Sequence, residues 1–221
     1  MNVKQKSRFT GILIITGMIA GIFSVAPAID SADYLTQGAA NFNQVVIAAI
    51  FQLLMSLIYI GVAIALFPII QKINTHLSIG FLSFRIIAVT LSFLGTLLLL
   101  STLALSQDFV TQYSPNVTFY ETIGHLLKST RDQVNHVFMV IVLCMGNGLL
   151  YLAFIQSRLI PGWISIWGMI GCGLSIIASL LVLFGKMDII TSEYLLLNAP
   201  TGIQELILAF WLIFKGFNYS K

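Results

Sequence analysis

Long apolar runs recur along the chain, each about as long as a helix needs to cross a bilayer. Six such runs occur, and shorter stretches that carry most of the charged residues separate them. A helix needs roughly 20 apolar residues to span about 30 Å of hydrocarbon. The pattern therefore predicts an all-α, polytopic integral membrane bundle of six transmembrane helices in a single domain, 1–221, with spans at about 9–29, 44–71, 79–105, 131–156, 163–185 and 201–215.

The connections between these runs differ in character. Residues 30–43 and 186–200 are polar or mixed, and we interpret both as loops. Between 117 and 130, apolar residues recur every three or four positions with polar residues opposite them. That spacing is typical of an amphipathic helix lying in the membrane interface. It predicts a short interfacial helix near 117–130.

The first apolar run follows three basic residues, Lys4, Lys6 and Arg8. A signal peptide is one interpretation, because residues 26–28 read Ala-Pro-Ala, a small-residue pattern that resembles a cleavage site. The run from 9 to 25 is longer than the usual apolar core of about 7–15 residues, so we favour a retained first helix. Gly17 and Gly21 predict close packing of this helix against a neighbour.

Composition agrees with a membrane protein and excludes several other classes. The chain is 58% hydrophobic and 9% charged, whereas soluble domains carry about 25% charged residues. Its net charge of +3 comes with no dense basic patch, so no nucleic-acid partner is expected. Cys144 and Cys172 both lie in apolar runs, which favours buried thiols over a disulfide.

The charges predict an orientation in the membrane. With six spans both termini lie on one side, and eight of the 11 basic residues share that side without an acidic neighbour: Lys4, Lys6, Arg8, Lys72, Arg85, Arg158, Lys215 and Lys221. The opposite side holds seven of the eight acidic residues: Asp30, Asp33, Asp108, Glu121, Asp132, Asp188 and Glu193. Because positive loops stay cytoplasmic, both termini are predicted to be inside.

Polar side chains within the spans need partners, since an ionisable group at the helix centre costs roughly 2.5–3.5 kcal/mol on insertion scales. Counting rise along each predicted helix sorts these side chains into two layers. An outer layer is a hypothetical ligand or proton pocket of Glu205, His136, Asp132, Asn135 and Gln52. An inner layer contains Arg85, Asn147, Tyr59 and Tyr151.

Two pairings follow from this count. Glu205 and His136 are expected within hydrogen-bond reach, directly or through a water. Arg85 and Glu205 are expected on the order of 15 Å apart along the membrane normal. A snorkelling Arg85 that reaches the lipid headgroups is the alternative to its place in the inner layer.

Asp132 and His136 are four residues apart, a spacing that places two side chains on one face of an α-helix. With Glu205 and His125 they would form a metal site or a carboxylate–imidazole pair for proton transfer. A purely structural hydrogen-bond network is the alternative. The sequence contains no HExxH motif, P-loop, GxSxG or dinucleotide fingerprint, so we expect no metal and no cofactor.

Three segments carry a resemblance to a known family. They are Phe84-Arg85, the turn from Arg158 to Trp163 that contains Pro161-Gly162, and the closing stretch from Gly202 to Gly216. Together they resemble the bacterial six-helix membrane family called domain of unknown function 4386. The resemblance implies a bacterial inner-membrane protein with a retained first helix, brings no established activity, and draws attention to Arg85, His136 and Glu205.

Three hypotheses for function remain open. The first is binding or transport of a small amphiphilic or cationic molecule through an outward-facing polar pocket. The second is a non-catalytic membrane scaffold or stress-response subunit, whose partner is a second copy of the chain or another membrane protein. The third is an intramembrane metal-dependent hydrolase. The lipid bilayer is an expected partner in all three.

Overall fold

A computed structural model describes residues 2–189 and 191–218, so Lys221, counted above among the inner basic residues, lies outside the described residues. Six helices in the described part are long and apolar enough to cross a membrane, which confirms the all-α bundle with six spans. The α-helices are α1 (Val3–Phe23), α2 (Pro27–Asp30), α3 (Tyr34–Ala40), α4 (Phe42–Gln71), α5 (Thr75–Thr111), α6 (Val117–Asp132), α7 (Met139–Ser157), α8 (Gly162–Leu183) and α9 (Ser192–Phe214). A π-helical segment, Gln133–Phe138, joins α6 to α7.

The two ends of the bundle differ in the length of their connections. At one end, here called the turn end, residues 72–74 and 158–161 are tight turns between spans. Arg158 closes α7 there in the left-handed conformation, with φ of 54°. The opposite end, here called the loop end, carries α2, α3, the start of α6 and the connection before α9. Most of the bulk outside the spans therefore lies at the loop end.

The first span is shorter than predicted and is followed by two short helices. The prediction ran the first helix through residue 29, whereas α1 ends at Phe23 and α2 begins at Pro27. Proline lacks an N–H and disrupts a helix interior, but it is well tolerated in a first turn. Ile29 and Tyr34 are buried, so the predicted polar loop of 30–43 is in fact largely helical and packed against the bundle.

Two helices extend beyond the membrane at the loop end. α5 has 37 residues, which at 1.5 Å per residue is roughly 55 Å, well beyond the hydrocarbon thickness of about 30 Å. The helix predicted near 117–130 is present as α6, but it is not a separate element. It continues through the π-helical segment into α7, forming one helix of 41 residues. Residues 125–145 contain neither glycine nor proline, so nothing local interrupts it.

The last span begins earlier than predicted. Residues 186–200 were predicted to be a loop ending at Pro200, but α9 already begins at Ser192. The Thr191 hydroxyl accepts a hydrogen bond of 3.3 Å from the Tyr194 backbone and caps the helix. Pro200 lies inside α9, as membrane helices tolerate. This start shifts every depth counted along the last helix, including that of Glu205.

The six spanning helices form a ring in which each packs against its neighbours, in the order α1, α4, α5, α7, α8, α9 and back to α1. Glycines allow the closest approaches. A Cβ on Gly17 would lie 3.2 Å from Ile58 of α4 and one on Gly21 would lie 3.3 Å from Met55, which agrees with the close packing predicted for this pair.

Candidate functional site

A cavity of about 410 Å³ lies on the ring axis in the half of the bundle nearest the loop end. We call it the loop-end cavity. It is lined by Gly21, Ser24, Val25, Ala26, Asp30, Gln52, Met55, Leu99, Arg131, Asn135, His136, Met139 and Val140. Three of the five residues predicted for the outer layer, Gln52, Asn135 and His136, therefore line one cavity, whereas Asp132 and Glu205 lie elsewhere.

Gln52 and Asn135 belong to a hydrogen-bond network that crosses from α4 to the π-helical segment. The Gln52 side-chain amide donates to the Asn135 side-chain oxygen and to the Ser92 carbonyl, each at 3.4 Å. The Ser56 hydroxyl donates to the Ser92 hydroxyl at 2.8 Å. Asn135 also fits against Gly95 of α5, where any larger residue would collide with its amide. The network fixes the direction in which both amides face the cavity.

The π-helical segment explains how His136 reaches this cavity. A π-helix closes its hydrogen bonds at i→i+5, which widens the turn and changes the register of the side chains that follow. The His136 ring lies 3.2 Å from the Tyr194 hydroxyl through Nδ1. Its backbone carbonyl accepts a hydrogen bond of 2.9 Å from Ser179 of α8. Side chains of two other helices thus hold this residue at both its ring and its backbone.

Asp132, which was predicted to share one helical face with His136, is not among the described residues that line the loop-end cavity. Asp132 accepts a hydrogen bond of 3.4 Å from Arg131 and lines a different, more open pocket with His125 and Lys128. The hydrogen bonds of the described residues join Asp132 to Arg131 and His136 to Tyr194, so the Asp132–His136 proton-transfer pair stays a prediction.

A charged cluster closes the loop-end cavity toward the loops. Arg131, which is buried, pairs with both Asp30 and Asp132. Lys128 donates to the Ser31 carbonyl at 2.9 Å and lies 4.3 Å from the centre of the Tyr34 ring. Burial, with a further contribution from Glu121, raises the pKa of the Tyr34 hydroxyl above its ordinary value. The cluster ties α2 and α3 to the start of the long α6–α7 helix.

A second polar group lies on the ring axis nearer the turn end. Arg85 is 5% exposed and donates a hydrogen bond of 2.6 Å to the side-chain oxygen of Asn147. The Asn147 amide in turn donates to the Glu205 carboxylate at 3.3 Å. The Arg85 guanidinium lies 5.3 Å from the centre of the Tyr59 ring, at cation–π distance. These residues and Tyr151 surround a cavity of about 30 Å³, enough for a water molecule.

The structure thus brings together the four residues assigned to the inner layer and adds Glu205 to them. The predicted contact between Glu205 and His136 is wrong: His136 meets Tyr194, and Glu205 meets Asn147. His136 and Asn147 are 11 residues apart on one helix, a rise of about 16 Å. The predicted separation of Arg85 from Glu205 is also wrong, since Asn147 bridges them. The early start of α9 places Glu205 deep in the span.

Gln204 is a buried polar residue that the sequence did not single out. It is fully buried, accepts a hydrogen bond of 2.7 Å from the Tyr151 hydroxyl and donates one of 3.1 Å to the Ile164 carbonyl. Both its oxygen and its amide nitrogen therefore have partners on α7 and α8. The sequence signal that could have identified Gln204 is a polar residue in an apolar helix, next to Glu205.

Metal binding needs three or four ligands in one place. Within residues 2–189 and 191–218, no group of three His, Cys, Asp or Glu side chains is arranged to hold a metal ion. Cys144 and Cys172 are buried and free. The described residues thus contain no set of metal ligands that would support a metal-dependent hydrolase.

Comparison with known proteins adds a family but no activity. A family model described as "Domain of unknown function (DUF4386)" matches residues 9–216, nearly the whole chain. Searches of curated proteins and of solved structures found no match.

Proposed function

The chain belongs to the DUF4386 family, and we propose that it binds a small amphiphilic molecule in the loop-end cavity. The observation that carries this proposal is the cavity itself. Ligand sites are concave, mostly apolar and supplied with a few convergent polar groups. This cavity has apolar walls from Met55, Leu99, Met139 and Val140, with Gln52 among the polar groups that face it.

The charges around the cavity favour a neutral or zwitterionic polar group over a simple cation. Arg131 and Asp30 both line the cavity and pair with each other. Their charges offset one another, so neither is free to neutralise a charged ligand. Asn135 and His136 supply amide and imidazole groups, which suit hydroxyl, amide or ester oxygens. The apolar part of the ligand would pack against the wall formed by Met55, Met139 and Leu99.

The setting that we propose is the bacterial inner membrane, with both termini in the cytoplasm. This places the loop end and its cavity on the outer side. The support is the excess of basic residues at the turn end and of acidic residues at the loop end, as the positive-inside rule requires. Binding from the outer half of the membrane, with or without transport, follows from that orientation.

Binding is tested by native mass spectrometry of the purified protein with two probes of similar size. One is a monoacylglycerol with an eight-carbon chain, and the other is octyltrimethylammonium. The proposal predicts a stoichiometric adduct with the monoacylglycerol and a weaker one with the cation. Asn135→Ala should weaken the adduct several-fold, whereas Ser101→Ala should not, because Ser101 is exposed on α5 and bonds only its own helix at Leu97. Equal and weak binding of both probes by all variants would contradict the proposal.

A scaffold role is the second candidate, and the polar group nearer the turn end favours it. Arg85, Asn147 and Glu205 are linked to one another and surround only a water-sized cavity. Such a group stabilises a bundle without any ligand. A scaffold would lose stability when these residues are changed, yet would show no adduct with either probe.

A further inference from the structure

α1 and α9 pack tightly against each other in the half of the bundle nearest the turn end. A Cβ on Gly11 would lie 2.6 Å from the backbone oxygen of Ala209. The Ser7 hydroxyl donates a hydrogen bond of 2.9 Å to the Leu212 carbonyl. The two backbones thus approach each other as closely as small residues allow.

The same faces of the two helices are exposed in the half nearest the loop end. Gly202 lies seven residues, about two turns, before Ala209 and therefore on the same side of α9. A Cβ built on Gly202 would meet none of the described atoms within 4 Å. On α1, Ile22 lies 11 residues, about three turns, after Gly11, and it is 72% exposed. Surfaces that meet at one end are separated at the other.

α1 and α9 separate toward the loop end because each packs against a different neighbouring helix. Toward the loop end, α1 packs on α4, where Phe23 and Phe51 have ring centres 5.1 Å apart. α9 instead packs on α8, where the hydroxyls of Ser175 and Thr201 lie 3.0 Å apart. The result is a wedge-shaped opening between the two spans, bordered by Ile22, Leu195 and Gly202, which we call the α1–α9 cleft.

The cleft connects the lipid-facing surface with polar groups on the ring axis. On α1, Gly21, Ser24 and Val25 line the loop-end cavity and directly flank Ile22. On α9, Glu205 follows Gly202 by about one turn and belongs to the polar group around Asn147. A chain-like molecule in the cleft would therefore reach the cavity with one end while the other stays in the membrane.

We propose that the α1–α9 cleft admits the acyl chain of a monoacylglycerol from the surrounding bilayer, so that the ligand enters the loop-end cavity sideways. This inference rests on the proposed function and names its ligand class and route. The rim is apolar and lies within two spanning helices, where acyl chains are the surrounding solvent. A protein helix is about 10–12 Å wide and needs a groove along most of its length, whereas this cleft closes halfway at Gly11 and Ala209.

The test uses the full-length protein in phosphatidylcholine nanodiscs that contain a monoacylglycerol with a photoactivatable diazirine on its chain. After illumination, labelled residues are identified by mass spectrometry. In Gly202→Leu the new leucine side chain should block the cleft without colliding with neighbouring residues, because a Cβ at this position would meet none of the described atoms within 4 Å. Gly173→Leu is the matched control, because Gly173 is also a helical glycine whose Cβ would meet none of the described atoms within 4 Å. Thermal unfolding of both variants checks that each is folded.

The proposal predicts labels on Ile22 or Leu195 and on cavity residues such as Met55 and Met139. In Gly202→Leu the cavity labels should fall several-fold, and in Gly173→Leu they should stay at the wild-type level. Undiminished cavity labelling in Gly202→Leu would overturn the lateral route while leaving cavity binding intact. Absence of cavity labels in the wild type, with no monoacylglycerol adduct, would overturn the proposed function itself. Cross-links between two chains through Ile22 would instead show that a second copy covers the cleft, which also contradicts the proposal.

Discussion

The guanidinium of Arg85 and the side-chain oxygen of Asn147 are joined by a hydrogen bond of 2.6 Å inside the bundle. This contact links α5 to its neighbour α7, and the Asn147 amide extends it to Glu205 on α9. A positive and a negative side chain therefore share one neutral amide at membrane depth. The arrangement keeps both charges out of the lipid, where each would be costly.

Replacing Arg85 with leucine should destabilise the protein in detergent. The change leaves Asn147 and Glu205 without their positive partner, and a buried polar group that loses its hydrogen bond costs about 1–3 kcal/mol. Arg85→Lys should also lower the unfolding temperature, since an ammonium does not reproduce the planar guanidinium fork. Thermal unfolding measures both effects.

Thr90→Val on the same helix is the control for Arg85. Thr90 is exposed and its hydroxyl bonds only the Ile86 carbonyl of its own helix. This variant should unfold as the wild type does. Wild-type stability in Arg85→Leu would contradict the buried position of Arg85 and favour a side chain that reaches the headgroups.

Gln204→Leu should destabilise the bundle because it leaves the Tyr151 hydroxyl without an acceptor. The expected cost is about 1–3 kcal/mol. Adding Tyr151→Phe removes the orphaned hydroxyl, so the double variant should recover part of the loss. The measurement is a double-mutant cycle by chemical or thermal unfolding, and strictly additive losses would show that the hydrogen bond of 2.7 Å between these side chains contributes nothing.

Two glycines of α8 should respond oppositely to alanine. A Cβ on Gly168 would lie 2.5 Å from the Tyr151 ring, whereas one on Gly173 would meet none of the described atoms within 4 Å. Gly168→Ala should therefore lower the unfolding temperature. Gly173→Ala should leave it unchanged or raise it, because alanine favours a helix over glycine by up to about 1 kcal/mol. Similar behaviour of the two variants would contradict the packing of α7 on α8.

Much of the fold could be predicted from the sequence because the bilayer fixes the length of each apolar run. Helix ends were less predictable, since proline has different effects in different places. Pro27 starts a new helix, while Pro200 lies inside one because neighbouring helices satisfy the freed backbone in membrane proteins. That single difference at Pro200 moved Glu205 away from His136 and into the group around Asn147.

The candidate site was predictable in its parts but not in its pairing. Gln52, Asn135 and His136 were selected because they are polar residues in apolar helices, and they do line one cavity. The π-helical segment leaves no simple pattern in Gln133–Phe138. Gln204 was not predicted because its partners, the Tyr151 hydroxyl and the Ile164 carbonyl, lie on other helices and are far away in the sequence.

The orientation makes a separate prediction. A reporter fused after the C-terminus should be cytoplasmic, and one inserted near Asp33 should be external, because basic residues dominate the turn end. Activity of paired reporters that work on only one side of the membrane measures this. An external C-terminus would contradict the proposed orientation and move the loop-end cavity to the inner side.

An amphiphile bound in the loop-end cavity would be visible directly. The most direct measurement is an electron density map of the protein in lipid nanodiscs, at a resolution that shows side chains. Elongated density is expected between Gln52 and His136, with its polar end near Asn135 and its tail directed toward Gly202. A cavity filled only by rearranged side chains or by ordered water would contradict ligand binding and leave the scaffold role as the better explanation.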